Sequence, residues 1–198
     1  LVGKRQQSKL NALKEVAGVL AFSAMQEAGH IGFCAFSDKN EKFMAPGSGK
    51  KHGYRVISEF FKLNPENTNT DLKAGLRFTL QTLNRKSLVF VLSDFLDEGY
   101  DDLLKAIAKK HDLIVIQIHD QQEIDMPNFG IIPVYDPETR TTTYVNTASK
   151  SFKSLLTENV SRLQVLKQQC KQWQADYISI QTGKDFVPAL VKLFRVRK

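Results

Sequence analysis

Cysteine, proline and long apolar runs are all scarce in this chain. Two cysteines, Cys34 and Cys170, stand far apart in 198 residues. Both lie in apolar surroundings, which rules out a disulfide framework and predicts two reduced core thiols in a cytoplasmic protein. No apolar run approaches the ~20 residues that a membrane span needs, and no signal-peptide pattern is visible. Repeats, low-complexity tracts and long linkers are missing as well. Acidic residues are outnumbered, 21 against 28 Lys and Arg, for a net charge of +7. That balance permits nucleic-acid or acidic partners. Yet the basic residues are scattered, with local density only in "GKKHGYR" and the tail "KLFRVRK", so a nucleic-acid footprint is not expected.

What is present is the material of one α/β domain, long enough to bury roughly 70% of its unfolded surface. The chain opens on Leu1 and runs directly into helical spacing, so it reads as a segment of a longer protein. Leu10, Leu13, Ala17, Leu20 and Ala24 mark a first helix that stops at Gly29. "HIGFCAFS" (30–37) reads as a buried strand, and "EKFMAPG" as a short antiparallel edge partner, because Pro46 cannot donate to a ladder. Helices follow on Tyr54, Ile57, Phe60 and Phe61, and on Leu72, Leu76, Leu80 and Leu83. Then come strand 87–93, a helix over about 99–110 and strand 113–120. Buried apolar strands alternating with amphipathic helices predict a parallel sheet covered on both faces. The pattern breaks at "GIIPVYDPETRTTTYVNT", an inserted hairpin over about 130–147. A long helix marked by Phe152 to Trp173, a strand "DYISIQT" and a helix opened by Pro188 complete the chain.

Several tempting motifs fail on spacing. "GSGKK" lacks the Gly that a phosphate loop needs five positions before Gly49, where Met44 stands, and Lys51 replaces the Ser or Thr. His111 and His119 bracket one strand, about 25 Å apart at 3.3 Å per residue, and cannot share an ion. Neither cysteine sits in an electropositive cleft that would activate it. Asp94 and Asp97 are separated by two residues after a late strand, which does not suit an aspartyl-nucleophile phosphohydrolase.

The informative stretch is "SLVFVLSDFLDEGY", where a core strand ends on Ser93 and Asp94. Ligands of open parallel sheets bind beyond the carboxyl ends of the strands. Strand 113–120 should deliver Asp120 to the same edge. "NTNTDLKAGL" places Thr70 and Asp71 at a helix start, as caps or as oxygen donors. Thr70 and Asp94 suit a hard cation chemically. Taken alone, they read as caps and turns ahead of metal ligands.

"NTDLKAGL", "VFVLSDFLDEGY", "AIAKKHDLIVIQIHD", "VYDPETRTTTYVNT" and "DFVPALVKLFRVRK" occur in the order seen in bacterial DUF58 proteins, which this chain resembles along essentially its whole length. The resemblance implies one domain, 1–198, of the Rossmann-like von Willebrand factor A type: a three-layer sandwich with a mostly parallel sheet and an inserted hairpin. It also implies a metal-ion-dependent adhesion site holding Mg2+ or Mn2+. By motif, Thr70 and Asp94 match two ligands of that site, with Ser93, Asp71 and Asp120 nearby. Asn69 and Arg140 depart from the glycines usual at their positions.

The Asp-x-Ser-x-Ser loop of the family occurs nowhere in the sequence, so the first central strand is expected to be absent and metal binding weak or absent. The implied strand order 3-2-1-4-5-6 would lose its middle member. Strands 30–37 and 87–93 would then have bare edges, each orphan backbone group costing on the order of 1–3 kcal/mol. Direct pairing of the two, a strand swap or a dimer is expected to close them. The implied function is a non-enzymatic, metal-assisted protein-interaction module whose partner is a MoxR-type AAA+ ATPase, in a chaperone-like or assembly role. The alternatives are a basic nucleic-acid-binding domain and a metal-dependent hydrolase at the same edge.

Overall fold

The computed structural model describes residues 2–27, 29–37, 40–64, 71–136 and 141–197. Its elements follow the sequence pattern closely. Helix α1 (Val2–Gln26) ends where the Gly29 amide donates back to the Ala24 carbonyl at 3.0 Å. Strands β1 (Ile31–Phe36) and β2 (Asn40–Gly47) pair antiparallel, as the Pro46 argument expected. Gly32 is required at this pairing. A Cβ there would stand 2.7 Å from the Pro46 nitrogen and 2.8 Å from the Met44 oxygen, a backbone approach that only glycine permits.

Helices α2 (Lys50–Lys62) and α3 (Leu72–Thr82) lead to β3 (Leu88–Ser93), α4 (Asp101–Lys110) and β4 (Asp112–His119). After the short α5 (Gln121–Ile124) the predicted hairpin is present as antiparallel β5 (Ile131–Asp136) and β6 (Thr141–Asn146). Its turn, with Arg140, lies outside the described residues. Helix α6 (Lys150–Gln172), strand β7 (Asp176–Gln181) and α7 (Val187–Val196), with Pro188 in its first turn, end the chain.

The main sheet is parallel, in the order β3-β4-β7. β4 lies between the other two and is buried along almost its whole length. Its even-numbered face packs Ile114 and Ile116 against Val16 and Leu20 of α1 and Leu190 of α7. The odd-numbered face packs Leu113 and Val115 with Leu76 of α3, Leu104 and Ile107 of α4, and Leu166 and Cys170 of α6. Helices thus cover both faces of the sheet. At its amino edge Arg197 forms ion pairs with both Asp112 and Asp176, tying the end of the chain to the starts of β4 and β7.

Of the three expected closures of the strand edges, direct pairing does not occur. β1 pairs only with β2, and β3 only with β4, among the described residues; the two do not pair with each other. The helices explain the separation. α3 packs Leu76 on Val89 and Val91, while its Gly75 and Phe78 meet Phe36 of β1. α1 likewise places Val16 and Leu20 on the main sheet, and Ala21 and Met25 on a second cluster with Ile31, Met44 and Val56. Both sheets dock on the same two helices, so the helices and not a strand ladder set their spacing.

Candidate functional site

The carboxyl ends of the strands meet in one edge that is fastened by backbone bonds. The Asp71 amide donates to the Ser37 carbonyl after β1 (3.0 Å), and the Leu72 amide donates to Asp97 Oδ2 in the loop after β3 (2.8 Å). Asp71 also caps α3, accepting from the Ala74 amide at 3.1 Å, as its sequence position predicts. Thr70, the other proposed ligand from this segment, lies outside the described residues.

The loop after β3 is held rigidly. Ser93 Oγ accepts from the Phe95 amide (3.1 Å), and the Tyr100 hydroxyl donates to the Phe95 carbonyl (3.4 Å). Phe95 is 1% exposed and stands edge-on to Tyr100 with ring centres 5.6 Å apart. Its φ is +55°, a conformation that costs a bulky residue about 1–3 kcal/mol and that burial of the ring stabilises. The strain fixes the direction of the preceding residue, Asp94.

Asp94 meets a cation, and that cation is Lys9. The Lys9 ammonium lies 3.0 Å from Asp94 Oδ2 and also contacts the Glu123 carboxylate of α5. Burial works against its charge, but the two carboxylates outweigh burial and raise its pKa above the ordinary 10.5. Glu123 in turn accepts from the Asp120 amide at 3.1 Å. Asp120 reaches the same edge, as expected, but its Oδ2 accepts from Thr182 Oγ1 at 3.3 Å and so joins the turn after β7. The sequence reading missed Lys9, Glu123 and the strained Phe95.

Behind this triad lies a polar set on β4 and β7. Gln117 Oε1 accepts from the Tyr177 hydroxyl and from Ser179 Oγ (3.2 Å). Because Ser179 gives its one proton to Gln117, its 3.1 Å contact with His119 makes His119 Nδ1 the donor and leaves a lone pair on Nε2. Burial lowers the His119 pKa, which favours the neutral ring. A small cleft beside it is lined by Asp94, Gln117, His119, Glu123, Asn159 and Arg162.

The residues at this edge do not by themselves fit a divalent ion. Of the two proposed ligands only Asp94 is described, and an ammonium already holds its Oδ2. Among the described residues no three His, Cys, Asp or Glu side chains are grouped to hold a metal. The thiols are remote from nucleophilic use as well: burial pushes Cys170 up to about 12 and raises Cys34.

His111, at the opposite end of β4, is 3% exposed, and among the described residues neither ring nitrogen makes a well-formed hydrogen bond, the Arg85 backbone being its nearest polar support. Burial, and then the Lys110 charge, hold its pKa below 6.5. The unfolded chain therefore takes up a proton that the fold refuses. The resulting stability is complete above about pH 6.5 and is lost as pH falls. Urea melts between about pH 8 and about pH 5 should show this acid-side loss. His111→Phe should remove part of it, with the remaining slope due to His119. Equal slopes in the two proteins would contradict the assignment.

A family model described as "Protein of unknown function DUF58" matches residues 1–165, so β7 and α7 fall beyond the match. "Uncharacterized protein MAV169" of Mycobacterium avium is 19% identical over 135 residues, covering 68% of this chain and 80% of that protein. Among solved structures, the chain is similar to the conserved hypothetical protein BatB from Bacteroides thetaiotaomicron. The TM-score is 0.53 at 10% identity, covering 94% of this chain and 86% of the other. It is also similar to an aerotolerance-related membrane protein from Bacteroides fragilis, with a TM-score of 0.52 at 13% identity, covering 86% and 80%. At such identities the likeness is one of fold. In the present chain no helix among the described residues is long and apolar enough to cross a membrane.

Proposed function

Starting from the fact that this chain belongs to the DUF58 family, we propose that it is a non-enzymatic protein-interaction module of the von Willebrand factor A type. In this reading the carboxyl edge around Asp94 is its contact surface, and a MoxR-type AAA+ ATPase in the cytoplasm is its partner. One observation carries the proposal: Ser37 after β1, Asp71 and Leu72 at the start of α3, and Asp97 after β3 are tied together at that edge, beside Asp94 and the strained Phe95. An edge whose described segments are tied in this way suits docking, because little order has to be gained on binding.

Among the described residues β1 and β3 each keep an unpaired edge, and both lie against α1 and α3, which suits one further strand between them. Such a strand would complete the von Willebrand factor A sheet. Cation assistance belongs to this reading only if further donors, Thr70 and an Asp-x-Ser-x-Ser loop, join Asp94. Calorimetric titration of the present chain with Mg2+ or Mn2+ is therefore expected to give weak binding or none.

The interaction itself is tested by immobilising a MoxR-type ATPase and measuring binding of the wild type and of Asp94→Ala. A central contact predicts affinity weaker by about tenfold or more in the variant, equivalent to ~1.4 kcal/mol. Equal affinities would move the contact surface away from this edge, and no binding by either protein would remove this partner.

A further inference from the structure

We infer that Lys9 is the resident cation of the carboxyl edge, a tethered ammonium at the place where the fold family would put a divalent ion. This goes beyond the interaction reading, and it rests on contacts that hold whatever the partner is. Two carboxylates from different elements, Asp94 after β3 and Glu123 on α5, converge on one point. Lys9 Nζ touches both, and its side chain is only 16% exposed. Carboxylates so close repel unless a positive charge stands between them.

The lysine is delivered by design of the helix. Lys9 shares a face of α1 with Leu13, Val16 and Leu20 at helical spacing, and Val16 and Leu20 are anchored in the core against Ile114 and Ile116. The apolar anchor fixes the helix, and its first turns carry the stem of Lys9 inward to the edge. There the charged end is matched, as a buried lysine requires.

An ammonium and a divalent ion differ in what they offer. The ammonium donates hydrogen bonds to fixed acceptors; its third N–H can at most donate to a partner's carboxylate and cannot be coordinated by it. A magnesium ion would need oxygens at ~2.1 Å and a near-octahedral set. With Lys9 in place, one oxygen of Asp94 and one of Glu123 are already engaged. Removing the ammonium alone would leave two carboxylates facing the same point, so the edge should then respond to metal.

Thermal melts with and without millimolar MnCl2, in chelator-treated buffer, test this on four proteins. The wild type should show no manganese-dependent rise in Tm. Lys9→Met should melt lower by roughly 3–8 °C, because one partner of a largely buried ion pair is gone. Manganese should restore at least half of that loss. In Lys9→Met with Asp94→Asn the restoration should vanish. Glu123→Gln keeps the ammonium on Asp94 and should melt lower than wild type while staying silent to manganese.

A manganese response in the wild type or in Glu123→Gln would overturn the assignment, and those two measurements decide even if Lys9→Met does not fold. A folded Lys9→Met with unchanged Tm and no manganese response would overturn it too. None of these readouts involves the ATPase, so failure here and failure of the interaction reading are seen separately.

Discussion

Replacing Ile116 by alanine is expected to destabilise the fold by about 2–5 kcal/mol, the range for deleting a fully buried branched side chain. Ile116 is 0% exposed and sits midway along β4, beside Leu92 of β3 and Ile178 of β7. It closes the cluster that joins α1 and α7 to the main sheet. Neither helix can move into the vacated space without drawing the other off the strand, so the cavity should persist. Domains of this kind hold about 5–15 kcal/mol in total, so the loss would be a large fraction of it. Urea unfolding should show a lower midpoint with an unchanged slope. Val191→Ala, at a 43% exposed position of α7, should stay within about 0.5 kcal/mol of wild type. The effect also reaches the candidate site, because Gln117 and His119 are carried by the same strand. A midpoint shift no larger than that of Val191→Ala would mean that β4 is not the keystone of the sheet.

How much of this was legible in the sequence depended on what each residue's neighbours are. Leu88 to Ser93 and Leu113 to His119 could be read as buried parallel strands because their apolar runs depend only on local chain. Pro46 marked an edge for an equally local reason, its missing amide. The split between β1–β2 and β3–β4–β7 could not be read, since nothing in a strand's own pattern says which strand it pairs with. Helices that serve two sheets at once decided that point.

At the site, Asp94 and Asp120 were placed at the correct edge by strand direction alone. Lys9 escaped because it stands in a basic stretch with Lys4 and Arg5 and passes for a solvated charge. A signal existed all the same. The first helix was read with Leu10, Leu13, Ala17 and Leu20 inward, but the fully buried member is Val16. Once Val16 and Leu20 define the stripe, Lys9 falls on it, and a charge on a buried stripe calls for a partner. Glu123, in "DQQEIDMP", gave no comparable sign. Its role depends on a four-residue helix that only the tertiary structure positions.

The polar set behind the triad makes the last prediction, and here the sign depends on which partner is removed. Gln117→Leu keeps the volume but deletes the acceptor shared by Tyr177 and Ser179. Gln117 is 1% exposed, so water cannot easily take its place, and the Tyr177 hydroxyl would be left without its acceptor. Stranding a buried donor costs about 1–3 kcal/mol, and the half-buried Tyr177 falls at the lower end of that range. Burial already raises the Tyr177 pKa, so the ring cannot relieve the loss by ionising at neutral pH. Tyr177→Phe alone should cost less, about 0.5–1.5 kcal/mol, since Ser179 still donates to the amide.

The double variant should be distinctly more stable than the sum of the two losses predicts, because no stranded hydroxyl remains, and a coupling of about 0.5–3 kcal/mol is expected from the cycle. Urea melts of the four proteins give it directly. Strict additivity would mean that Gln117 and Tyr177 do not share a bond in solution.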